Sequence, residues 1–336
     1  MGIAAAALII ALLGLGAYLI EKHDLLDEQF GDTGDWGDDE DDETLFTFND
    51  ADYISDDRVK AYMFAGTDAG GVDKGEGFNG DLADFITVLV IDDSTKKYAF
   101  FPVNRNTMVD IGIPNESGDI QNFARQQVCT AHWYGRNDEE RNYNLKEAVT
   151  EAMCGLNMDG YYVINMKDIG EINDVIGGVT VDIDTDMTKL DPAFKAGATV
   201  HLKGDQAESY LRARMDVGEG TNAERMKRQQ QYMQNAYTMV AGQLREDPGY
   251  INDLYVQLEN KSQSEGISDN LSKIANKIVE YDNMGFINFT GETKVGDTIG
   301  EGIEHEEFYV DQMSVLDGLK KVMNIREDTS SDEDEE

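Results

Sequence analysis

A chain of 336 residues with 40% hydrophobic side chains can bury a sizeable core, in one large domain or two ordinary ones. Its formal net charge of −39 argues against a surface built to bind nucleic-acid phosphates, so no nucleic-acid partner is expected. Two cysteines 25 apart and four scattered histidines exclude a disulfide-dense scaffold, a CxxC motif and a His-rich zinc site.

The charge is concentrated at the ends. Residues 21–57 hold sixteen acids against one Lys and residues 327–336 hold seven acids, which leaves −17 for residues 58–326. Solvated ends explain this better than a halophilic surface, which would spread acid over the fold. Residues 3–20 carry no charge and would span about 27 Å as a helix at roughly 1.5 Å per residue, close to a bilayer core. The run exceeds a secretory apolar region of about 7–15 residues and no A-x-A site follows it. The expected order is a transmembrane anchor over 1–20, an acidic disordered stalk over 21–57, a folded domain over 58–326 and a disordered tail over 327–336. Calcium loops are absent: in Asp182-x-Asp184-x-Asp186 the next residue is Met187, where a glycine is required.

Within 58–326, apolar runs bounded by turn signals predict strands at 61–66, 86–91, 98–103, 160–165 and 179–183. Helical periodicity falls at 144–154, 167–176, 205–211, 223–244, 268–281 and 311–323. Strands mixed with helices argue for an α/β fold with a mixed sheet. The short DDSTKK segment at 92–97 joins strands two and three as an antiparallel hairpin. If strand one is antiparallel to strand two, Asp68, Asp84 and Arg105 gather at one edge of the sheet. Two acids beside an arginine point to metal-and-phosphate chemistry.

Thr221 to Glu224 reads as a capping box at the start of the long helix. Gln229 falls inside that helix's apolar stripe and should point inward. Arg225 and Arg228 occupy its first turns, where the macrodipole disfavours cations. A helix amino end carrying guanidiniums suits a phosphate. Arg212 and Arg214 share one face if 211–215 is extended. Up to five arginines, with Arg105, would then receive a pyrophosphate. Asp68 and Asp84 would hold a bridging divalent metal, magnesium by default.

These residues lie in an ordered motif set: FAGTD (64–68), LADFITVLVID (82–92), PVNRNTMVDI (102–111), IGGVTVDI (176–183), LKGDQAESYLRAR (202–214) and ERMKRQQQ (224–231). The set resembles the LytR-CpsA-Psr family of bacterial envelope proteins across roughly 58–326. The resemblance implies an α/β/α domain with a mostly antiparallel central sheet and helices on both faces, preceded by one transmembrane helix. It implies a single-pass cell-membrane protein with an extracytoplasmic domain that moves a glycopolymer from a polyprenyl-pyrophosphate carrier to peptidoglycan, using Mg2+. Asp68 and Asp84 match the family's metal-binding acids. Arg105, Arg212, Arg214 and Gln229 match its pyrophosphate contacts, and Asp84 and Arg105 are the expected catalytic pair. Three positions depart: Leu82 replaces an arginine, and Asn106 and Asn222 replace acids. Lys74 lies in the Gly-rich 70–80 loop and offers a substitute cation. The departures sustain an alternative, a weakened module that binds polyprenyl phosphates in regulation or assembly.

Two further expectations follow. The family's lipid tunnel would be lined here by Phe123, Val128, Met153, Ile169, Ile172 and Val175. In an exported domain Cys129 and Cys154 should be joined as a disulfide closing the polar loop between them.

Overall fold

The computed structural model describes residues 44–48, 51–54, 59–68, 81–115, 117–213, 217–218, 220–246, 250, 262–267, 274, 277–278, 280–296 and 304–327. In chain order the strands are β1 Thr44–Phe48, β2 Ala51–Ile54, β3 Val59–Thr67, β4 Ala83–Asp92, β5 Lys97–Pro102, β6 Met108–Pro114 and β7 Ile120–Gln127. They continue as β8 Gly160–Asn165, β9 Val179–Asp182, β10 Thr199–Leu202, β11 Ser262–Glu265, β12 Asp282–Phe286, β13 Gly291–Gly296, β14 His305–Val310 and β15 Arg326–Glu327. The helices are α1 Asp138–Ala152, α2 Ile169–Val175, α3 Asp205–Arg212, α4 Asn222–Glu246 and α5 Gln312–Leu319.

The central sheet runs β11-β8-β3-β4-β5-β12. Its β11–β8, β3–β4 and β4–β5 pairs are antiparallel, while β3–β8 and β5–β12 are parallel. The sheet is therefore mixed and mostly antiparallel. Strands β3 and β4 are apolar on both faces over most of their length, broken in β4 by Asp84 and Thr87, because both faces are covered. Alternate residues feed two cores, as a period of two requires. Tyr62, Phe64, Phe85 and Leu89 meet α2, α3 and α4 on one face. Met63, Ala65, Val88 and Val90 meet α1 and α5 on the other. The expected α/β/α layering is present.

Several expectations change. Residues 3–20 lie outside the described residues, and no described helix is long and apolar enough to cross a membrane. The expected stalk contains structure: β1 and β2 form an antiparallel hairpin within 44–54, and β15 extends it from the carboxyl side. The tunnel set does not converge. Val128 and Met153 belong to one core, Ile169, Ile172 and Val175 to the core on the opposite face, and Phe123 is 71% exposed on β7. A single tunnel cannot pass through both faces of a paired sheet. The helix expected over 268–281 is described only at Ile274, Lys277, Ile278 and Glu280, each helical, and at the bend Tyr281.

The disulfide is absent, and both cysteines are buried free thiols. Cys129 begins a short 3₁₀ segment and its Sγ lies 3.0 Å from Arg105 Nη2. Cys154 follows α1 at φ 61°, the left-handed position that ends a helix, and its Sγ faces the Gln312 carbonyl at 3.7 Å. Each sulfur is committed to a different neighbour. Burial pushes the Cys154 thiol up to about 12, so it stays protonated at neutral pH.

His132 fastens the approach to β4. Its ring is buried, with Nδ1 3.0 Å from the Asp81 carbonyl and Nε2 3.1 Å from the Asn142 side-chain amide on α1. Burial pushes the imidazole pKa down, aided by Arg141, against the Asp81 and Asn142 contacts and Asp138. The unfolded histidine protonates near about pH 6.5 and the folded one resists, so this contribution to stability is lost as pH falls below that value. Thermal unfolding of His132→Gln is therefore expected to lose less stability than the parent between pH 7 and pH 5. Parallel pH profiles for the two proteins would remove this role.

Candidate anion and metal site

Strand pairing builds the site. Thr67 at the end of β3 pairs with Ala83 at the start of β4, and Asp68 N donates to the Leu82 carbonyl at 2.9 Å. Pro102 at the end of β5 pairs with Thr87, and Val103 N donates to the Ile86 carbonyl at 3.0 Å. The turn after β5 thus returns to the edge where β3 ends. Asp68, Asp84 and Arg105 gather there as the strand order predicts. Arg105 Nη1 pairs with Asp84 Oδ1, and Arg225 Nη1 from the first turn of α4 lies 3.5 Å from Asp84 Oδ2. Arg212, the last residue of α3, bridges Asp68 at 2.6 Å and Glu208 at 2.7 Å.

Charge and burial set what this edge can do. The side chains of Asp84 and Arg105 are each 12% exposed and that of Arg225 is 4% exposed. Two guanidiniums converge on one carboxylate in this nearly buried unit, and Asp68 at the same edge also acts on Arg105. The Arg105 Nε has no hydrogen-bond partner, which leaves a donor in place for one. Burial opposes the charge on Arg105, but Cys129 and Asp84 outweigh it and raise its pKa. The arrangement suits a compact, multiply charged oxyanion.

Not every expected ligand faces that edge. Arg228 is turned away: its Nε donates to the Tyr210 carbonyl at 3.2 Å and an Nη to the Ala213 carbonyl. These are carbonyls at the end of α3, so Arg228 acts as a C-terminal cap that positions Arg212. Burial pushes its pKa down. The extended stretch expected from 211 gives way to helix through Arg212, because α3 continues to that residue. Arg214 and Lys74 lie outside the described residues. Gln229 is buried as its phase predicts, with Nε2 3.5 Å from the Leu211 carbonyl, a long contact. Thr221 Oγ1 accepts from Glu224 N at 3.2 Å, which fixes the start of α4.

The residues read as departures have other work. Asn222 Nδ2 donates to Asn104 Oδ1 at 2.7 Å, and its Oδ1 accepts from Arg225. An acid at 222 would add a second carboxylate beside Arg225; the amide orients Arg225 without one. Asn104 also accepts from Asn106 N at 3.0 Å, and its carbonyl accepts from Thr107 N at 2.9 Å, so this side chain shapes the turn that carries Arg105. Leu82 packs against the core on the α1 side. The sequence assigns Cys129 to a disulfide and gives Asn104 no part, because the role of each arises only from tertiary contact with Arg105 and its turn. The asparagines on either side of Arg105 were the available signal.

A metal has a narrow fit. No group of three or more His, Cys, Asp or Glu able to hold an ion occurs among the described residues. Asp68 and Asp84 are two carboxylates at one sheet edge. That donor set matches magnesium bound by one or two carboxylates together with phosphate oxygens, and not an all-protein cage. Between the sheet and α4, a seam runs from Asp84, Arg105 and Asn222 to Phe85, Met226 and Met233, with about 10 Å³ of free space, room for barely one water.

Asn106 gives a direct test of the geometry. It is 1% exposed; its Nδ2 donates to Glu306 Oε1 at 2.9 Å and its Oδ1 accepts from Gln127 Nε2 at 3.1 Å. Asn106→Asp would set a carboxylate against Glu306 and lower stability by about 2–4 kcal/mol in chemical denaturation. Adding Glu306→Gln should recover most of that loss. An unchanged midpoint for the single variant would show that Asn106 does not face Glu306.

Comparison with known proteins agrees with the architecture. The LytR-CpsA-Psr family model matches residues 39–313. A polyisoprenyl-teichoic acid–peptidoglycan teichoic acid transferase, TagU of Bacillus mycoides, is 27% identical over 181 residues, 54% of this chain and 52% of that protein. Biofilm regulatory protein A of Streptococcus mutans is 23% identical over 187 residues, 54% of this chain and 44% of its own length. The chain thus spans about half the length of these curated relatives. Among solved structures, protein gbs0355 of Streptococcus agalactiae superposes with a TM-score of 0.60 at 17% identity, covering 79% of this chain and 86% of that one. TagV of Bacillus subtilis superposes with a TM-score of 0.56 at 17% identity, covering 79% and 96%. These likenesses establish the shared fold, and the family match over well more than half the sequence establishes that this chain belongs to the LytR-CpsA-Psr family.

Proposed function

We propose that this protein is a membrane-anchored, extracytoplasmic transferase that moves a glycopolymer from a polyprenyl-pyrophosphate carrier to peptidoglycan. The observation that carries the reading is the buried Arg105–Asp84–Arg225 unit beside the Asp68–Arg212 pair at one sheet edge. Family membership and the activity in TagU's name support the substrate class. Residues 3–20 supply the anchor in this reading.

The chain's own residues bind and orient. In the absence of ligand the arginines are held against Asp84 and Asp68. As the pyrophosphate arrives, Arg105, Arg225 and Arg212 exchange carboxylate oxygens for phosphate oxygens. Asp68 and Asp84, so released, are the residues that would hold a Mg2+ ion, which would supply charge neutralisation for the leaving phosphate. Gln229 turns from its long contact at Leu211 to the same anion. A peptidoglycan hydroxyl oxygen then bonds to the sugar-linked phosphorus, the bond from that phosphorus to the bridging oxygen breaks, and the lipid monophosphate departs with the electron pair. Solvent accepts the hydroxyl proton. Catalysis is then mainly positioning and charge stabilisation.

The alternative of a weakened binding module loses part of its motive, because Asn106 bonds Glu306 and Gln127 rather than Asp68 or Asp84, and Asn222 orients Arg225. The full chain in detergent should release lipid monophosphate from a synthetic polyprenyl-pyrophosphate saccharide when given peptidoglycan fragments and magnesium. Asp84→Asn or Arg105→Met should cut turnover by about 10²-fold or more, the scale of losing one preorganised charged group. Tight binding without turnover would favour the module; neither binding nor turnover would sink the proposal.

A further inference from the structure

Thr87 lies in β4 on the same face as Phe85 and Leu89, beneath α4, and is 0% exposed. Its hydroxyl has no hydrogen-bond partner, although such a group can donate one bond and accept two. Its neighbours across the sheet are Phe64 on β3 and Pro102 on β5, whose side chains offer no polar atom. Buried hydroxyls are normally satisfied, so an orphan needs a reason.

The reason lies in the seam that Thr87 lines. Asp84, Arg105, whose Nε is also without a partner, and the amides of Asn222, Gln229 and Gln230 are its polar lining, while Phe85, Val103, Met226 and Met233 are apolar. Thr87 stands three residues along β4 from Asp84, ~10 Å at the rise of a strand. An anion held at Asp84 and Arg105 would therefore leave Thr87 farther along β4, on a seam that also carries the apolar Phe85, Val103, Met226 and Met233. The two methionines are unbranched and adaptable, which suits a wall that must part to admit a chain.

We propose that Thr87 is a ligand-contacting residue that donates its hydroxyl to an oxygen at the junction between the phosphate head and the apolar chain of a prenyl pyrophosphate. This rests on the carrier class in the proposed function and adds a specificity element to it. The hydroxyl then distinguishes a chain-bearing pyrophosphate from the bare anion, which the arginines hold alone.

The test is titration of the full chain in detergent, with magnesium, using geranylgeranyl pyrophosphate and inorganic pyrophosphate as separate probes. Thr87→Val should weaken geranylgeranyl pyrophosphate about tenfold or more, the effect of losing a hydrogen bond to a charged group, and change inorganic pyrophosphate less than twofold. The unliganded variant should melt at or above the parent temperature, since it replaces an orphan hydroxyl with a methyl of the same shape. Thr87→Ser should bind both probes as the parent does. Parent-like binding of geranylgeranyl pyrophosphate by Thr87→Val, equal losses for both probes, or a lower melting temperature with unchanged affinity would each overturn the role. Failure of the parent itself to bind geranylgeranyl pyrophosphate would instead overturn the carrier reading and this role with it.

Discussion

The site depends on one shared carboxylate. Asp84 accepts Arg105 from the turn after β5 and Arg225 from the first turn of α4. It therefore fastens the sheet edge to the helix that covers it. The contact is buried, so desolvation makes it contribute less to stability than its geometry suggests. Its effect is to preorganise two guanidiniums at a place where water is largely excluded. An anion entering there meets donors that are already aimed, and little further ordering is needed.

The neutral side chains around this unit are consistent with that bias. Asn222 holds Arg225 without cancelling its charge, and Asn104 holds the turn that carries Arg105. Cys129 gives Arg105 a soft acceptor that stays uncharged, because burial raises its thiol pKa although Arg105 opposes the shift. Around the second pair the balance differs: Arg212 meets two carboxylates, Asp68 and Glu208, and is 40% exposed. That half is a solvent-screened pair, easily exchanged. The site thus joins a buried half with two guanidiniums on one carboxylate to a more exposed half with one guanidinium between two carboxylates.

The elements that frame the site were legible because their signals are local. Strand β8 occupies the expected 160–165, and β3 and β4 extend their expected runs by one to three residues at each end. Antiparallel order alone brought Asp68, Asp84 and Arg105 together. The missed strands have no apolar run to announce them: β7 reads IQNFARQQ and is largely exposed, and β13 reads GETKVG with exposed or half-buried positions throughout. Their pairing with β6 and β14 is set by tertiary register, not by local composition. Arg228 shows the same limit within the site. Helix phase placed it near the anion, but only the chain path of α3 shows that backbone carbonyls claim its guanidinium first.

That capping role links the two halves mechanically. Arg228 is one helical turn from Arg225 on α4, and it grips the carbonyls of Tyr210 and Ala213 that flank Arg212. Gln229, the next residue, reaches toward Leu211. The start of α4 therefore carries the end of α3 with it. The seam between α4 and the sheet is nearly closed, so a bulky ligand can enter only if α4 shifts outward from Phe85. Arg225 on α4 reaches Asp84, and Arg228 on the same helix ties it to the carbonyls beside Arg212, which in turn meets Asp68. Ion pairs in a site of low dielectric weaken steeply with distance, so the position of α4 bears on both arginine–acid contacts at once. The apolar seam and the two ion pairs at the sheet edge are therefore tied to one element, α4.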